Sequence, residues 1–425
     1  MKTFIIIWFG QLISRVGTAM TKFGFLVWVY QQTGLATDVA LLGFFAFLPY
    51  LLISPFAGVW IDRLDRRKVM IYSDLGAGLM TIILFRLLAT GNLEIWHIYV
   101  AEGMAGFFEA FQIPAYTAVT TTIMPKAQYS RANGMRLMAS YGAQILAPLF
   151  AGSLLMFIGL RGIMLIDMST FLIAIGTLLV VTLPKLPRAE GTEEKPTFWD
   201  DMRVGVRYIR ARPGLMGLLA IFMGINFFAS LTYFSIMPAM LLDRSGNNEV
   251  VLAWVQGTLG GAGVVGSICM TIWGLPKKKI HAVLAGGAVS FLFGDLLFAI
   301  GQSTIVWIIA AAIAAFFIPF ISGANRTIWQ EKVPPELQGR VFGTQQTVQE
   351  LLMPLGYLLG GVLADRVLEP AMMTDGQLAP ILGSLVGTGA GAGMGVMFLV
   401  TAVLGCLISL SGYLIKPVRQ IEADS

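Results

Sequence analysis

The sequence predicts an all-α membrane protein in which twelve transmembrane helices form two six-helix bundles. The first observation is composition: 56% of the 425 residues are hydrophobic and only 12% are charged, whereas a soluble domain carries roughly 25% charged residues. The second is a series of long apolar runs, and the third is a polar segment that divides them into two sets of six. This composition excludes a soluble enzyme, a nucleic-acid-binding protein and a disordered scaffold.

The apolar runs set the number of predicted helices. A helix needs about 20 mostly apolar residues to cross the hydrocarbon core, and backbone groups that find no water in lipid favour helices as the spanning form. Twelve runs meet this requirement: 4–30, 38–61, 69–90, 94–123, 132–158, 163–183, 214–242, 250–273, 281–300, 304–331, 341–366 and 392–415.

Basic residues are distributed unevenly between the connections. If the N-terminus is cytoplasmic, 21 of the 29 Lys and Arg residues lie in inner connections and 3 in outer ones. Cytoplasmic connections carry an excess of Lys and Arg, so we expect both termini to be cytoplasmic in an integral multi-pass protein of the cell (inner) membrane. The net charge of +5 then reflects topology, and no nucleic-acid partner is expected. The first run contains Arg15 and Lys22 and is too long for a cleavable signal.

The segment 184–213 is the longest polar stretch between the predicted spans. From Thr197, a suitable N-cap, it becomes amphipathic, with apolar and basic residues on different faces. We expect a helix that lies on the inner membrane surface, with a solvated linker helix as the alternative. The segment separates an N-terminal bundle, 1–183, from a C-terminal bundle, 214–425.

The two predicted bundles repeat each other in sequence. Arg131-Ala-Asn-Gly134 precedes the fifth span, and Arg340-Val-Phe-Gly343 precedes the eleventh. A proline follows each of them, at Pro148 and Pro354. Parallel repeats of this kind, related by an axis along the membrane normal, are typical of transporters.

The connection after the second span carries the most specific motif. It reads Gly58-Val-Trp-Ile-Asp62-Arg63-Leu-Asp65-Arg66-Arg67-Lys68. This resembles the signature loop of the major facilitator superfamily, with Asp65 at the usual glycine position. Further stretches resemble its macrolide-efflux and siderophore-export branch of drug:proton antiporters: Gly10-Gln11, Gln112-Ile-Pro114-Ala115, Arg131-Ala-Asn-Gly134 and Gln330-Glu-Lys-Val-Pro334. The resemblance covers essentially the whole chain.

The signature loop has a physical interpretation as a conformational gate. Asp62 would face the N-terminus of the eleventh span near Arg340, where the helix dipole favours an anion. Arginines of the loop would pair with carboxylates at neighbouring inner helix ends, such as Asp74. Contacts that form only when the halves close on the inner side would stabilise the outward-open state. The alternative is that these residues are only positive-inside charges. The expected gate residues are Gly58, Asp62, Arg63, Arg66, Arg67, Lys68, Arg131 and Arg340.

Charged side chains inside predicted spans are candidates for function, because a charge near the bilayer centre costs at least about 2.5 kcal/mol. Arg15 and Lys22 share one face of the first span with Gln11 and Thr18. Glu102 and Glu109 share a face of the fourth span with Gln112. Two cations and two anions at interleaved depths predict a neutralised network. The alternative is a fixed ion-pair network that braces the two helices.

The resemblance implies that the first and fourth spans line a central cavity. Glu109 or Glu102 would then be the proton-coupling carboxylate, in exchange with Arg15 or Lys22. The arginine that the family usually carries in the fourth span is absent, since Ala105 occupies its place. The remaining candidate contacts to substrate or protons are Gln112, Arg136, Asn226 and Glu350. Asp167 and Asp295 are interpreted as structural, because their spans pack outside the cavity in this fold.

The sequence therefore predicts a secondary transporter and not an enzyme. We expect it to export a hydrophobic or amphipathic organic compound, macrolide-like or siderophore-like, by proton-coupled alternating access. Expected partners are the small-molecule substrate, protons and the lipid bilayer, with the chain a monomer, no cofactor and no metal or disulfide from Cys269 and Cys406. The alternatives are an uptake carrier or lysolipid flippase on the same fold, a structural membrane partner, and a membrane-embedded transferase. The last would need acid–base or metal chemistry, for which only His97 and His281 are present.

Overall fold

Helices form almost all of the protein. The computed structural model describes residues 2–61, 64–125, 128–181 and 198–422, and it contains no strand in these ranges. Toward the N-terminus the helices are α1 Lys2–Thr33, α2 Ala36–Ile61, α3 Arg66–Ala89, α4 Ile95–Ile123, α5 Tyr129–Val180 and α6 Phe198–Arg210. They continue with α7 Pro213–Thr232, α8 Met237–Arg244, α9 Glu249–Trp273, α10 Lys279–Val289, α11 Leu296–Ile300, α12 Thr304–Phe316 and α13 Ile318–Lys332. The last are α14 Pro335–Glu350, α15 Met353–Leu363, α16 Glu369–Met372, α17 Ala379–Val386, α18 Ala392–Leu414 and α19 Lys416–Arg419.

The observed helices confirm the predicted membrane protein. Ten segments of the described residues are long and apolar enough to cross a membrane. One of them, Arg131–Val180, contains both the fifth and the sixth predicted spans, which are separated at Gly159, a non-helical residue with a φ of 62°. The predicted fourth span is α4, which is less apolar because it carries Glu102 and Glu109. Within the described residues, each of the twelve predicted spans therefore lies mostly in helix.

Several helices of the C-terminal half are interrupted. A π-helical segment, Ser290–Asp295, joins α10 to α11, and another, Ala364–Leu368, joins α15 to α16. Pro238, Pro319 and Pro354 stand in the first turn of α8, α13 and α15. Proline is compatible with the first turn, where its missing N–H is not needed, and it interrupts a helix elsewhere. The seventh, tenth and eleventh predicted spans are therefore each built from more than one helix.

The chain divides into two compact units: Met1–Val29 with Leu42–Phe198, and Tyr30–Leu41 with Trp199–Ser425. The segment 30–41 belongs to the second unit because an acidic side chain holds it there. The Asp365 carboxylate accepts hydrogen bonds from the backbone N–H groups of Ala36 (3.0 Å) and Thr37 (2.7 Å), at the N-terminus of α2. An anion is favoured at this end of a helix. Of the predicted linker, residues 184–197 lie outside the described ranges.

Close helix packing depends on glycine in both units. A Cβ atom at Gly106 of α4 would lie 1.9 Å from the carbonyl oxygen of Ala46 in α2. In the second unit, a Cβ atom at Gly266 of α9 would lie 2.2 Å from the carbonyl oxygen of Phe316 at the end of α12. Small residues allow membrane helices to approach closely enough for backbone contact. These two helix pairs are therefore held at a distance that only glycine permits.

The amphipathic helix α6 packs against protein in the second unit. Its Gly205 faces α14, since a Cβ atom there would lie 2.1 Å from Thr344 Oγ1. The Tyr208 hydroxyl donates to the Lys332 carbonyl oxygen at 2.6 Å, and Ile209 belongs to the hydrophobic core of the unit. The sequence predicted an amphipathic helix on the membrane surface, and the structure shows that its apolar face contacts α13 and α14.

Candidate functional site

Lys22 and Glu102 form an ion pair inside the first unit. Lys22 Nζ of α1 lies 3.7 Å from Glu102 Oε2 of α4. The Glu102 side chain is only 10% exposed, whereas that of Lys22 is 40% exposed. One partner is therefore buried and the other can be reached from outside the helix pair. An ion pair of this kind can exchange one of its partners for a solute or a proton.

The other two predicted charges of the network do not join this pair. The Arg15 guanidinium donates through Nη1 to Ser140 Oγ of α5, at 3.2 Å. Glu109 lies on an exposed face of α4 and forms no ion pair within the described part of the chain. The predicted network of four charges thus consists of one ion pair and two separate side chains.

Gln112 binds Asp74, a carboxylate that the sequence analysis placed elsewhere. Its Nε2 donates to Asp74 Oδ1 at 2.9 Å and to Gln11 Oε1 at 3.1 Å. Gln11 Nε2 in turn donates to Asp74 Oδ2 at 3.0 Å. The expectation that Asp74 pairs with arginines of the signature loop was wrong, because Asp74 lies two turns inside α3 and its oxygens accept from the two amides.

Asp167 of α5 is a buried carboxylate that contacts hydroxyl groups on two other helices. Its Oδ1 accepts from Thr18 Oγ1 of α1 at 3.0 Å, and its Oδ2 accepts from Thr81 Oγ1 of α3 at 3.3 Å. An aspartate in an apolar run is visible in the sequence. The sequence did not show that the sixth span places this aspartate beside the first span. The structural role expected for Asp167 stays a prediction.

A cavity of about 80 Å³ joins the buried charges of the first unit. It is lined by Lys22 of α1, Asp74 of α3, Glu102 of α4 and Asp167 of α5, together with hydroxyl and apolar side chains. A polar cavity of this volume has room for several water molecules. The structure therefore brings together one ammonium and three carboxyl groups from four helix segments around a space that admits water.

The second unit contains a comparable buried aspartate. Asp295, in the π-helical segment, is fully buried and accepts hydrogen bonds from the hydroxyl groups of Tyr233 and Thr401, the latter at 2.6 Å. In each unit a buried carboxylate thus connects three helix segments through hydroxyl donors. Buried polar groups need such partners, because an unpaired one costs free energy. These contacts agree with the structural role that the sequence analysis expected for Asp295, which stays a prediction.

Arg136 interacts with α4 in the first unit. Its Nη2 donates to Thr117 Oγ1 at 2.7 Å, and its guanidinium carbon lies 4.9 Å from the centre of the Tyr116 ring. A guanidinium over an aromatic face gains a cation–π interaction. Arg136 is therefore fixed to the same helix as Glu102 and does not contact the ion pair.

Asn226 and Glu350 lie close to the end of α14 in the second unit. Asn226 Nδ2 of α7 donates to the carbonyl oxygen of Gln349 in α14, at 3.0 Å. Glu350, the next residue, accepts from Gln346 Nε2 at 3.3 Å. Both side chains are half-buried, at a place where α14 gives way to α15.

The signature loop is organised by a helix cap. The Asp65 side chain accepts from the backbone N–H groups of Arg67 (3.0 Å) and Lys68 (3.3 Å) and so begins α3. Aspartate at the family's glycine position therefore adds an N-cap. The backbone of Gly58 lies in α2, and Asp62 and Arg63 lie outside the described residues.

The basic side chains of the gate prediction contact backbone and hydroxyl oxygens. Arg66 donates to Thr122 Oγ1 at 3.0 Å, and Arg67 donates to the carbonyl oxygens of Leu178 and Leu179 at the end of α5, both at 2.8 Å. Cations are favoured at the C-terminus of a helix. Lys68 and Arg131 are exposed.

Arg340 belongs to the sequence that repeats Arg131-Ala-Asn-Gly134, and its side chain binds α6, the helix in the polar segment 184–213. Its Nε lies 2.7 Å from Asp201 Oδ1 of α6. Both residues belong to the second unit. The ion pair adds to the contact between α6 and α14 that Gly205 makes possible.

Comparison with known proteins agrees with this architecture. Macrolide efflux protein A of Streptococcus pyogenes is 27% identical over 373 residues, which cover 86% of this chain and 90% of that protein. The multidrug efflux pump Tap of Mycolicibacterium fortuitum is 23% identical over 378 residues, covering 85% and 89%. The crystal structure of a mutant of the nucleoside transporter NupG matches 97% of this chain and 99% of that chain, with a TM-score of 0.71 and 12% identity, which shows a shared fold.

The family follows from the sequence itself. The family model described as Major Facilitator Superfamily matches residues 7–357, which is most of the chain. The match includes the signature loop, the ion pair and the cavity of the first unit. The protein is a transporter of small molecules and not an enzyme. The chain belongs to the Major Facilitator Superfamily.

Proposed function

We propose that the protein exports a hydrophobic or amphipathic organic compound, such as a macrolide-like drug or a siderophore, by alternating access driven by proton entry. The observation that carries the proposal is the Lys22–Glu102 ion pair, which is embedded in membrane-spanning helices and accessible at its lysine. A charged pair at this depth is costly and marks a substrate or proton pathway. Export is the direction that the names of the efflux relatives support.

The substrate class is inferred from apolar and flexible side chains. Met223, Phe227 and Phe228 of α7 are half-buried beside Asn226. Methionine and aromatic side chains adapt to ligands of variable shape. Glu350, in the same unit, adds a charge that an amphipathic compound would contact. The relatives named for macrolide efflux and multidrug efflux support the same class.

Proton coupling is inferred from the carboxylates. Glu102 is buried beside Lys22, and Glu109 lies two helical turns further along α4. A proton bound by one of them would neutralise it and release the opposing cation for another partner. Arg15, which contacts α5, and Arg136, which contacts α4, would contribute positive electrostatic potential near these carboxylates. Uptake of the proton and release of the substrate would then occur in alternate states.

The test uses purified protein in proteoliposomes with an imposed pH gradient. We expect accumulation of a radiolabelled macrolide that collapses with a protonophore, and we expect Glu109→Gln to abolish it. The matched control is Glu249→Gln, a half-buried carboxylate in the first turn of α9, which should transport like the wild type. Gradient-independent transport by the wild type contradicts proton coupling, and full activity of Glu109→Gln removes that residue from it. A dye and a siderophore in the same assay define the substrate class.

The signature loop is proposed as the inner gate. We propose that Asp62, together with Gly58, Arg63 and the basic residues around Asp65, stabilises the state that is closed to the cytoplasm. Asp62→Asn should slow the transport cycle while the substrate affinity stays constant. The measurement compares the turnover rate with the Kd from equilibrium binding. An unchanged turnover rate, or a weakened Kd at a normal rate, contradicts this role.

A further inference from the structure

The cavity of the first unit contains more acid than base. Carboxyl groups enter it from Asp74 on α3, Glu102 on α4 and Asp167 on α5, whereas Lys22 on α1 supplies the ammonium. Among these groups, Lys22 forms an ion pair with Glu102. An ionised carboxylate that is buried without a cation costs several kcal/mol, and proteins avoid this cost by binding a proton.

We propose that Asp167 is a further carboxyl group that binds and releases the coupling proton, inside the N-terminal six-helix bundle. This inference rests on the proposed proton-driven function and goes beyond it by naming a residue on the sixth span. The groups that face the cavity around Asp167 are Thr18, Thr21 and Lys22 of α1, Asp74 and Thr81 of α3, and Glu102 of α4.

The hydrogen-bond partners separate Asp167 from Asp74. Both Asp74 oxygens accept from amide NH₂ groups, those of Gln11 and Gln112, and an NH₂ group only donates. In this arrangement both Asp74 oxygens are hydrogen-bond acceptors. The Asp167 oxygens instead accept from the hydroxyl groups of Thr18 and Thr81. A hydroxyl group donates to a carboxylate and, after rotation about its C–O bond, accepts from a carboxylic acid.

Thr21 adds a further hydroxyl group beside Asp167. Its side chain is only 3% exposed and lines the cavity, and it lies close enough to Asp167 to interact with the carboxylate, although its Oγ1 has no partner in ideal hydrogen-bonding geometry among the described residues. A buried hydroxyl group whose hydrogen bonds are incomplete gains from a bound water molecule. The cavity volume of about 80 Å³ admits such water. Water beside Thr21 would accept the proton that Asp167 releases.

Lys22 is a partly exposed charged residue of this cavity. Its side chain is 40% exposed, and its 3.7 Å distance to Glu102 is longer than the 2.7–2.9 Å that is typical of a tight ion pair. The lysine is therefore held loosely. When the proton leaves the Asp167 carboxyl group for a cavity water, the Lys22 ammonium offsets the new negative charge. When a proton returns to Asp167, the carboxyl group is again neutral.

The test compares two variants of buried aspartates. Asp167→Asn removes the proposed proton site, and Asp295→Asn removes a buried aspartate that accepts two hydroxyl hydrogen bonds in the other unit. In proteoliposomes we expect Asp167→Asn to lose pH-gradient-driven macrolide accumulation about tenfold or more, while macrolide counterflow without a gradient stays near the wild-type rate. Asp295→Asn should keep both activities. Substrate-induced proton release, followed with a pH-sensitive dye, should disappear in Asp167→Asn alone.

Several outcomes overturn the inference. The inference is wrong if Asp167→Asn accumulates macrolide or releases protons at the wild-type level. It is also wrong if Asp295→Asn loses these activities to the same extent as Asp167→Asn. A sodium gradient that drives transport in place of the pH gradient also contradicts it. If the wild type shows no proton-driven export, the proposed function itself fails. If both the wild type and Asp167→Asn show proton-driven export, only the assignment of Asp167 fails.

A second variant covers the case in which Asp167→Asn does not fold. Thr81→Val keeps the shape of the side chain and removes one hydrogen bond to the Asp167 carboxylate. Loss of a donor to the ionised form favours the protonated form. We therefore expect the pH of half-maximal transport to rise by about half a unit or more. Thr258→Val, which loses only a hydrogen bond to the Trp254 carbonyl oxygen within α9, is the control. An unchanged pH profile in Thr81→Val contradicts the proposal.

Discussion

Lys22 and Glu102 show how the protein keeps charge inside a membrane helix bundle. An isolated charge would be expensive at this depth, and the pair reduces the cost because each side chain partly neutralises the other. The Lys22 side chain is 40% exposed and that of Glu102 only 10%, so the Glu102 carboxylate depends more on its partner for neutralisation. At the scale of single residues, the ion pair is therefore a local requirement for stability as well as a candidate for function.

Lys22→Ala should destabilise the protein by leaving Glu102 buried without a cation. We expect a loss of about 2 kcal/mol, below the 3–5 kcal/mol of a fully buried pair because Lys22 is partly exposed. Thermal unfolding in detergent measures the change. The double variant Lys22→Ala/Glu102→Gln should recover part of it, because the buried charge is then gone. A double variant that is less stable than Lys22→Ala would refute this explanation.

Asp65 should stabilise α3 through its side-chain cap. Replacing an aspartate N-cap by alanine typically costs about 1 kcal/mol, while asparagine keeps the hydrogen bonds and glycine loses only a few tenths. We therefore expect the unfolding temperatures to follow the order Asp65→Asn, Asp65→Gly, Asp65→Ala, from highest to lowest. Equal stability of the asparagine and alanine variants would show that the hydrogen bonds to Arg67 and Lys68 contribute nothing.

At the scale of helices, packing depends on where a side chain is missing. Gly106 brings α4 against the backbone of α2, and Gly266 brings α9 against the backbone of the α12 end. Gly205 does the same for α6 and α14. In each case the nearest atom belongs to the backbone or to a short side chain, which has little room to move. Helix contacts in the described part of the chain are thus set by glycine as much as by large apolar residues.

Gly106→Ala should separate α4 from α2. The added Cβ atom would lie 1.9 Å from the Ala46 carbonyl oxygen, so the helices must move apart, and we expect a loss of about 2–3 kcal/mol in the free energy of unfolding. Gly176→Ala of α5 is the matched control, because no atom lies within 4 Å of its added Cβ. Alanine has the higher helix propensity, so this variant should gain about 0.5–1 kcal/mol. Similar effects of the two substitutions would contradict the packing argument.

At the scale of the whole molecule, the chain is a multi-pass membrane protein of two compact units. The first unit contains the ion pair and the cavity, and the second contains Asp295 and the attached linker helix. Residues 30–41 join the second unit through Asp365, so α2 itself belongs to both units. The distribution of basic residues predicts the orientation of the helices in the membrane, with both termini cytoplasmic.

The proposed orientation, with both termini cytoplasmic, is tested by cysteine labelling. In a Cys269→Ser/Cys406→Ser background, a cysteine in place of Asn92, between α3 and α4, should react with a membrane-impermeant maleimide in intact cells. A cysteine in place of Lys277, between α9 and α10, should react only after permeabilisation. Both positions are exposed. The reverse pattern would invert the topology, and labelling of both sites in intact cells would contradict the predicted number of crossings between them.

The sequence by itself determined the fold class, the helices and the family. Long apolar runs and the lack of water in lipid leave the backbone little choice but helices, and the signature loop identified the superfamily. Helical spacing also placed Lys22 and Glu102 on faces where they meet. The sequence also located the boundary between the fifth and sixth spans, which lies at Gly159, where the backbone leaves the helical region with a φ of 62°.

Only the tertiary structure decided which polar groups share a space. Helical periodicity fixes the face of a residue on its own helix, but it does not say which helix lies opposite. Asp74 therefore binds two glutamines instead of the loop arginines, and Asp167 enters the cavity that holds Lys22 and Glu102. Glu109, two turns from Glu102, stays exposed. Contacts between side chains of distant spans depend on how the helices pack, and this packing is determined by all of the helices together.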